Sequence, residues 1–303
     1  MTKSIQRVLI GGASGLIGSA LAATARRQSI EVTRLVRRPA SDATEIAWNP
    51  ADGANAVNPS LLEGFDGVVH LGGASVARRW TAQHKGDIVD SRVASTRALC
   101  SALASTRNRP KVLIVASGVG IYGNRGDEIL TEQSAPGSGY LAELSVAWEA
   151  AAKAAVEARV RVVHLRLGVV LDRDGGALAK MLPVFRLGLG GWLGSGHHWM
   201  SWISLGDVLR AIFFLMDRDD LAGPFNGSSP NPVTNRDFTR ALAHSVHRPA
   251  LLPVPGAALR LIFGELADEA LLASQRVLPQ RLLQAGFTFA DEEIGATLRA
   301  LLG

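Results

Sequence analysis

Seven residues, Gly12-Ala-Ser-Gly15-Leu-Ile-Gly18, separate a β-rich run, Arg7-Val-Leu-Ile10, from a helical pattern over residues 16–28. A glycine-rich turn at that junction constrains the chain more than any other stretch. Glycines permit a tight turn and let backbone approach a ligand closely. The N-terminus of the following helix offers free N–H groups and the positive end of its dipole. Strand, turn and helix in that order form the pyrophosphate site of a dinucleotide-binding βαβ unit, the plainer alternative being an ordinary βα turn. Gly12, Gly15, Leu16, Ile17 and Gly18 are the first candidate cofactor contacts.

A second constraint lies about 20 residues further on, at the end of the run Glu31-Val-Thr-Arg-Leu-Val36. A site for NAD usually carries a carboxylate there for the ribose hydroxyls. Here Val36 is followed by Arg37 and Arg38. Without the carboxylate a 2′-phosphate meets no repulsion, and a guanidinium can clamp it. Val36 and Arg37 therefore point to NADP(H); the alternative is that the two arginines are ordinary surface charges.

Further β-rich runs follow at residues 65–71, 112–116 and 161–167, with helical patterns over 87–105 and 139–158. That alternation predicts an α/β fold, a doubly wound parallel sheet of Rossmann type with helices on both faces. Residues 48–59 and 223–234, rich in Pro, Gly, Asn, Asp or Ser, read as loops. Residues 175–196 are glycine-rich, a helix is expected around 207–217, and more helices run to residue 303. The expected division is a cofactor-binding domain over 1–170 with a return segment 203–228. A smaller, mainly helical substrate-side C-terminal domain takes 171–202 and 229–303.

Composition narrows the partners. The 303 residues are 47% hydrophobic and 19% charged, with a net charge of +5. The arginines are scattered, as at Arg26-Arg27 and Arg78-Arg79, and form no basic block, which argues against a nucleic-acid partner and for a phosphate-bearing small molecule. The longest later apolar run, Ala211-Ile-Phe-Phe-Leu-Met216, is far short of the ~20 residues of a membrane span. With one cysteine, Cys100, no internal disulfide can form; this and the lack of a signal-peptide pattern make the cytoplasm the expected compartment. No Cys/His cluster has metal-ligand spacing, so no metal site is expected.

Beyond the glycine turn, Asp66-Gly-Val-Val-His-Leu-Gly-Gly73, Ser117 through Tyr122-Gly123, Trp202-Ile-Ser-Leu-Gly-Asp207 and Phe225-Asn226 stand in order. With these strings the chain resembles the extended short-chain dehydrogenase/reductase superfamily over nearly its whole length. Arg79-Trp80, Ser91-Arg92, Trp148-Glu-Ala-Ala-Ala152, Gly188-Leu-Gly-Gly191, Pro230-Asn-Pro-Val-Thr-Asn235 and Ser274-Gln-Arg-Val-Leu-Pro279 narrow the likeness. They resemble the epimerase-like subfamily that ends in a short domain of unknown function. The resemblance implies further cofactor contacts at Leu71, Gly72, Gly73, Asp87, Arg92, Leu167 and Gly168. For Asp87 and Arg92 the alternative is a solvated helix face. Tyr122 is expected to pack beneath the nicotinamide end.

The resemblance also implies a catalytic Ser and a Tyr-x-x-x-Lys pair, which fall on Ser117, Tyr140 and position 144. Ser117 stands one residue further from Tyr122-Gly123 than the pattern asks, and position 144 is Leu. An unassisted phenol has a pKa near ~10, so about one part in a thousand is ionised at neutral pH. Lys153 stands nine residues beyond position 144, about 13 Å along a helix axis, too far to take the missing role. Tyr140 is thus expected to be a poor base, and Tyr140 or a water is expected to act as the acid in carbonyl reduction. Arg78, Arg79 and Trp80 are candidates for an anionic or planar substrate, the alternative being a Trp packed in the core, and His197 and His198 read best as a polar loop. The expected function is an NADP(H)-dependent, epimerase-like oxidoreductase moving hydride on a small polar substrate, a nucleotide sugar being one candidate. The competing expectation is a catalytically silent NADP(H)-binding sensor or regulatory protein.

Overall fold

Seven strands pair in parallel into one sheet: β1 (Arg7–Gly11), β2 (Glu31–Val36), β3 (Glu45–Ala47), β4 (Gly67–His70), β5 (Val112–Gly118), β6 (Arg161–Leu167) and β7 (Gly223–Gly227). The computed structural model describes residues 5–303. The strand order is β7-β6-β5-β4-β1-β2-β3. The chain winds outward from β1 to β3, then returns to lay β4 on the other side of β1. That reversal opens a crevice beyond the carboxyl ends of β1 and β4, the switch point where doubly wound sheets bind ligands.

Eleven α-helices are assigned among the described residues: α1 (Leu16–Arg27), α2 (Ala82–Val89), α3 (Ser95–Ala104), α4 (Tyr140–Ala150), α5 (Lys153–Glu157), α6 (Gly176–Arg186), α7 (Leu205–Asp217), α8 (Asn235–Ser245), α9 (Gly256–Phe263), α10 (Gln280–Gln284) and α11 (Ile294–Leu302). Both faces of the sheet are covered, which is why the middles of β1, β4 and β5 read as unbroken apolar runs. On one face Leu9, Val68 and Leu113 pack with Leu99 and Leu103 of α3 and Leu144 and Trp148 of α4. On the other, Ile10, Val69 and Ile114 meet Leu21 of α1 and Val208, Ile212 and Leu215 of α7. A third core gathers α6, α8 and α11 around Trp202. The structure is the expected Rossmann-type sheet with a helical C-terminal region.

Several local expectations are corrected. The segment 223–234 opens with β7, whose Pro224 and Gly227 disguise it as loop; β7 is an edge strand, where proline is tolerated. β3 is only three residues long, too short to show a period. Within 48–59, Asn49 and Asn58 accept hydrogen bonds from the backbone N–H of Ala51 and Ser60 and start two short 3₁₀ turns. The helix expected over 87–105 begins earlier, at Ala82, where the Thr81 hydroxyl caps it. It continues through a π turn, Asp90–Ala94, into α3. The helix over 139–158 breaks at residues 151–152. The glycine-rich stretch 175–196 contains α6, with Pro183 inside it.

The C-terminal region is stitched to the sheet by side-chain-to-backbone bonds. Arg281 donates to the carbonyls of Pro224 and Ala222, and Asn226 donates to that of Leu278. Among the described residues no helix is long and apolar enough to cross a membrane.

Trp202 is fully buried and its indole donates to the Asn231 carbonyl at 3.1 Å. A Trp202→Ala variant is expected to lose ~3–5 kcal/mol of stability, read by urea denaturation. A loss under ~1 kcal/mol would show that this core does not contribute to cooperative folding.

Candidate functional site

The three glycines of the first turn do different things. Gly12 has φ +80°, and a Cβ there would lie 2.7 Å from the Leu71 carbonyl carbon and the Gly72 nitrogen. The β1–α1 turn and the end of β4 therefore touch backbone to backbone. A Cβ on Gly18 would collide with the Gly12 carbonyl, so glycine lets α1 start tight against the turn. Gly15 has an ordinary φ of −79°, and its Cβ would meet nothing closer than the Gly12 oxygen at 3.4 Å. Nothing within the chain requires glycine there. Its bareness leaves the outer face of the turn open to a ligand. Gly15 caps α1 without any side-chain bond, and no acidic residue stands in the first turn. The first N–H groups of α1 thus present an anion-accepting end, and the turn fits a pyrophosphate. Leu16 is half-buried against Gly175 and Gly176, and Ile17 packs on the α1–α7 core.

At the end of β2 the two arginines part company. Arg38 grips the buried Glu45 carboxylate with bonds of 2.7 and 2.6 Å, and Arg34 joins at 2.8 Å. The Arg38 guanidinium and the Ser41 N–H and hydroxyl hold the Glu45 carboxyl down to about 2. Arg37, after the half-buried Val36, is exposed and has no hydrogen bond or ion pair among the described residues. It lines a cleft of about 920 Å³ together with Asn49, Asp87, Ser91 and Arg97.

Beyond β4, the Leu71 N–H bonds the Gly11 carbonyl at 2.8 Å, and Gly72 and Gly73 continue along the crevice. Arg92 lies directly on Gly73, its Cζ 2.9 Å from where a Cβ would stand. Its guanidinium donates to the Ala74 carbonyl at 2.9 Å and stacks over Trp148. Burial lowers its pKa to about 10, so it remains a cation at neutral pH, and no carboxylate pairs with it among the described residues. Asp87 is exposed in the same cleft and accepts a bond from Gln83. Gly168, just past β6, passes so close to the Ser201 carbonyl that a Cβ would stand 2.6 Å from it; Leu167 before it is half-buried.

His70 is one residue that sequence reasoning passes over. It lies buried beneath Gly11 and Gly72, with its Nε2 3.1 Å from the Ser95 hydroxyl and its ring edge-on to Trp48. Burial pushes its pKa down to about 4, so it stays neutral. In the sequence it is a lone polar letter in an apolar strand, with no signal of its place.

Ser117 and Tyr140 have separate partners. The Ser117 hydroxyl is buried and donates to Glu149 at 2.8 Å. Arg166 binds that carboxylate with two 2.8 Å bonds and donates to the Tyr122 hydroxyl at 2.9 Å. Tyr122 in turn donates to Asn226, whose N–H bonds Glu132. Ser117 and Tyr122 are thereby members of one closed, buried network, and Glu149 and Arg166 are members the sequence does not single out. Tyr140 stands at the first residue of α4, stacked 4.9 Å from Trp80, and its hydroxyl donates to the Lys85 carbonyl at 3.1 Å. Burial raises its pKa, against the opposing pull of Lys85 and Arg92. Lys153 is exposed and pairs with Glu157. Arg79 donates to the Leu261 carbonyl and Lys85 pairs with Glu265, so the C-terminal region leans on this corner. His198 is lowered by burial, and no group of His, Cys, Asp and Glu able to hold a metal occurs among the described residues.

A sequence profile of the NAD dependent epimerase/dehydratase family matches residues 8–226, and a domain of unknown function, DUF1731, matches 254–301. An epimerase family protein of Mycobacterium bovis is 45% identical over 292 residues, 96% of each chain. The crystal structure of human epimerase family protein SDR39U1 with NADPH superposes at a TM-score of 0.89, with 33% identity over 98% of this chain and 99% of that one. A structure named as a nucleoside-diphosphate sugar epimerase, from Corynebacterium glutamicum, gives a TM-score of 0.81 at 35% identity. That match covers 100% of this chain and 59% of that one.

Two outcomes follow from these ion pairs. Glu149→Gln keeps an acceptor for Ser117 but leaves the buried Arg166 uncompensated, and is expected to cost ~3 kcal/mol in urea denaturation. The depressed Glu45 carboxyl adds stability that is complete above its usual value of 4.5 and lost as pH falls toward about 2. The Tm deficit of Glu45→Gln should therefore be clear at neutral pH and close at the acid end; a constant deficit would argue against the ionic origin.

Proposed function

This chain belongs to the NAD dependent epimerase/dehydratase family, and from that membership we propose that it binds NADP(H) and moves hydride on a small polar substrate. The observation that carries the cofactor choice is Arg37, which stands free at the end of β2 while Arg38 is spent on Glu45. A 2′-phosphate would find a guanidinium there, and β2 ends on Val36 and not on a carboxylate. The NADPH in the human relative's structure supports the same choice. Gly12, Gly15, Leu16, Ile17 and Gly18 would take the pyrophosphate; Leu71, Gly72, Gly73, Asp87 and Arg92 would line the ribose side. Leu167 and Gly168 would flank the nicotinamide. Residues 171–202 and 229–303 would form the substrate side.

When bound, the reduced nicotinamide supplies a hydride to a carbonyl carbon. This chain must then deliver a proton to the carbonyl oxygen. Tyr140 is the candidate donor, since a phenol is protonated at neutral pH and burial raises its pKa further. To act, Tyr140 must exchange the Lys85 carbonyl for the substrate oxygen. Ser117, already donating to Glu149, would orient the floor of the site and not the substrate itself. The sugar-nucleotide epimerase name of the Corynebacterium relative makes nucleotide sugars the first substrate class to try.

One observation favours a second reading, a catalytically silent NADP(H) sensor. The Tyr140 hydroxyl is bonded to the chain itself, and the helix position four residues on is the buried Leu144. The two readings separate by turnover. The protein should oxidise NADPH with a member of a panel of carbonyl compounds and sugar nucleotides, and Tyr140→Phe should reduce kcat by ~10²-fold or more. Tight NADPH binding with no turnover across the panel establishes the silent reading instead. Arg37→Asp should weaken NADPH by ~10–100-fold and shift preference toward NADH; unchanged relative affinities would remove the assignment.

A further inference from the structure

We propose that Arg97 is a second anchor for the cofactor's 2′-phosphate, opposite Arg37, a proposal that rests on the NADP(H) reading above. Arg97 belongs to α3 and lines the same 920 Å³ cleft as Arg37. The helix drives Thr96, Ala98, Leu99 and Cys100 into the core and leaves Arg97 exposed. Like Arg37, it has no hydrogen bond and no carboxylate partner among the described residues, so its five donors are available. Other arginines nearby are spent: Arg34 and Arg38 on Glu45, Arg92 on the Ala74 carbonyl.

The charges of the cleft are sorted along its length. Asp87 and Asp90 line it too, and they would repel a phosphate placed beside them. Asp90 precedes Arg97 by seven residues, about 10 Å along a helical axis. The carboxylates share their part of the helical run with Ser91, which donates nothing outward because its hydroxyl serves the Ala74 N–H and the Ile88 carbonyl. That end adjoins the turn after β4. Arg97 lies two helical turns beyond Asp90, where α3 packs on the 3₁₀ turn Pro50–Asn55, and Asn49 and Pro50 face the same space from the end of β3. A ligand fitting this cleft would carry hydroxyl or amino donors toward Asp87 and Asp90 and a dianion toward Arg97, with Arg37 on the wall of the same cleft. An adenosine ribose with a 2′-phosphate has that polarity. Two guanidiniums from separate elements, the end of β2 and α3, would bind the phosphate from two directions and fix its position as well as neutralise it.

The test is isothermal titration of the full chain with NADPH, NADH and 2′,5′-ADP, comparing wild type with Arg97→Ala, Arg97→Lys and Arg37→Ala. Arg97→Ala should weaken NADPH and 2′,5′-ADP by about tenfold while NADH stays within about twofold, because only the 2′-phosphate contact is removed. Arg97→Lys should recover part of the loss, keeping the charge but not the fork. Unchanged NADPH affinity in Arg97→Ala, or an equal loss for NADH, overturns the proposal. The two failures are distinguishable. If the wild type shows no preference for NADPH, the cofactor reading falls and Arg97 with it. If Arg37→Ala abolishes a preference that Arg97→Ala retains, only the Arg97 anchor falls.

Discussion

The contact on which the rest depends is backbone against backbone, where Gly12 meets Leu71 and Gly72 at the carboxyl ends of β1 and β4. No side chain intervenes at the switch point, so two turns of the chain lie side by side and their N–H groups face one crevice. The conformation at Gly12 and the closeness of Gly18 to its carbonyl aim α1 at that crevice. Everything downstream takes its bearings from this junction. Arg92 lies on Gly73, and His70 fills the space beneath with a neutral ring.

A second frame is electrostatic and closed. Ser117, Glu149, Arg166, Tyr122, Asn226 and Glu132 hand hydrogen bonds from one to the next across β5, β6 and β7. Burying a full ion pair is worthwhile only when every lone pair and proton is met, and here each member has a partner. The same closure fixes what Ser117 can do. A hydroxyl that donates to a carboxylate neutralised by arginine is held in place, so it positions the floor of the site. Tyr140, by contrast, is bonded only to a backbone carbonyl, that of Lys85.

The legible parts of the sequence are those in which one residue type has one physical reason. β1, β4 and β5 show themselves as apolar runs because helices cover both faces of the sheet. The glycine turn is legible because its spacing serves both an internal contact and an external ligand. β7 is not, since its Pro224 and Gly227 suit an edge strand and a loop equally well. β3 is not, since three residues show no period and its stability comes from Glu45 meeting Arg34 and Arg38. Within the site, Arg37 and Arg38 are indistinguishable as letters. Only the fold shows that one is engaged and the other free. The orientation of Ser117 is set by Glu149, thirty-two positions away, a distance over which no local pattern carries information.

The segment from Leu266 to Arg281 is tied to three separate parts of the molecule. Glu269 accepts the Leu141 N–H at the start of α4, Ser274 and Gln275 hold the turn 123–126, and Leu278 and Arg281 hold β7. A segment with so many attachments is a keystone and not an appendage. It makes the two sequence profiles, which part company between residues 226 and 254, a poor guide to where the molecule could be cut. Removing this tail would unbind the first turn of α4 and the edge of the sheet at once.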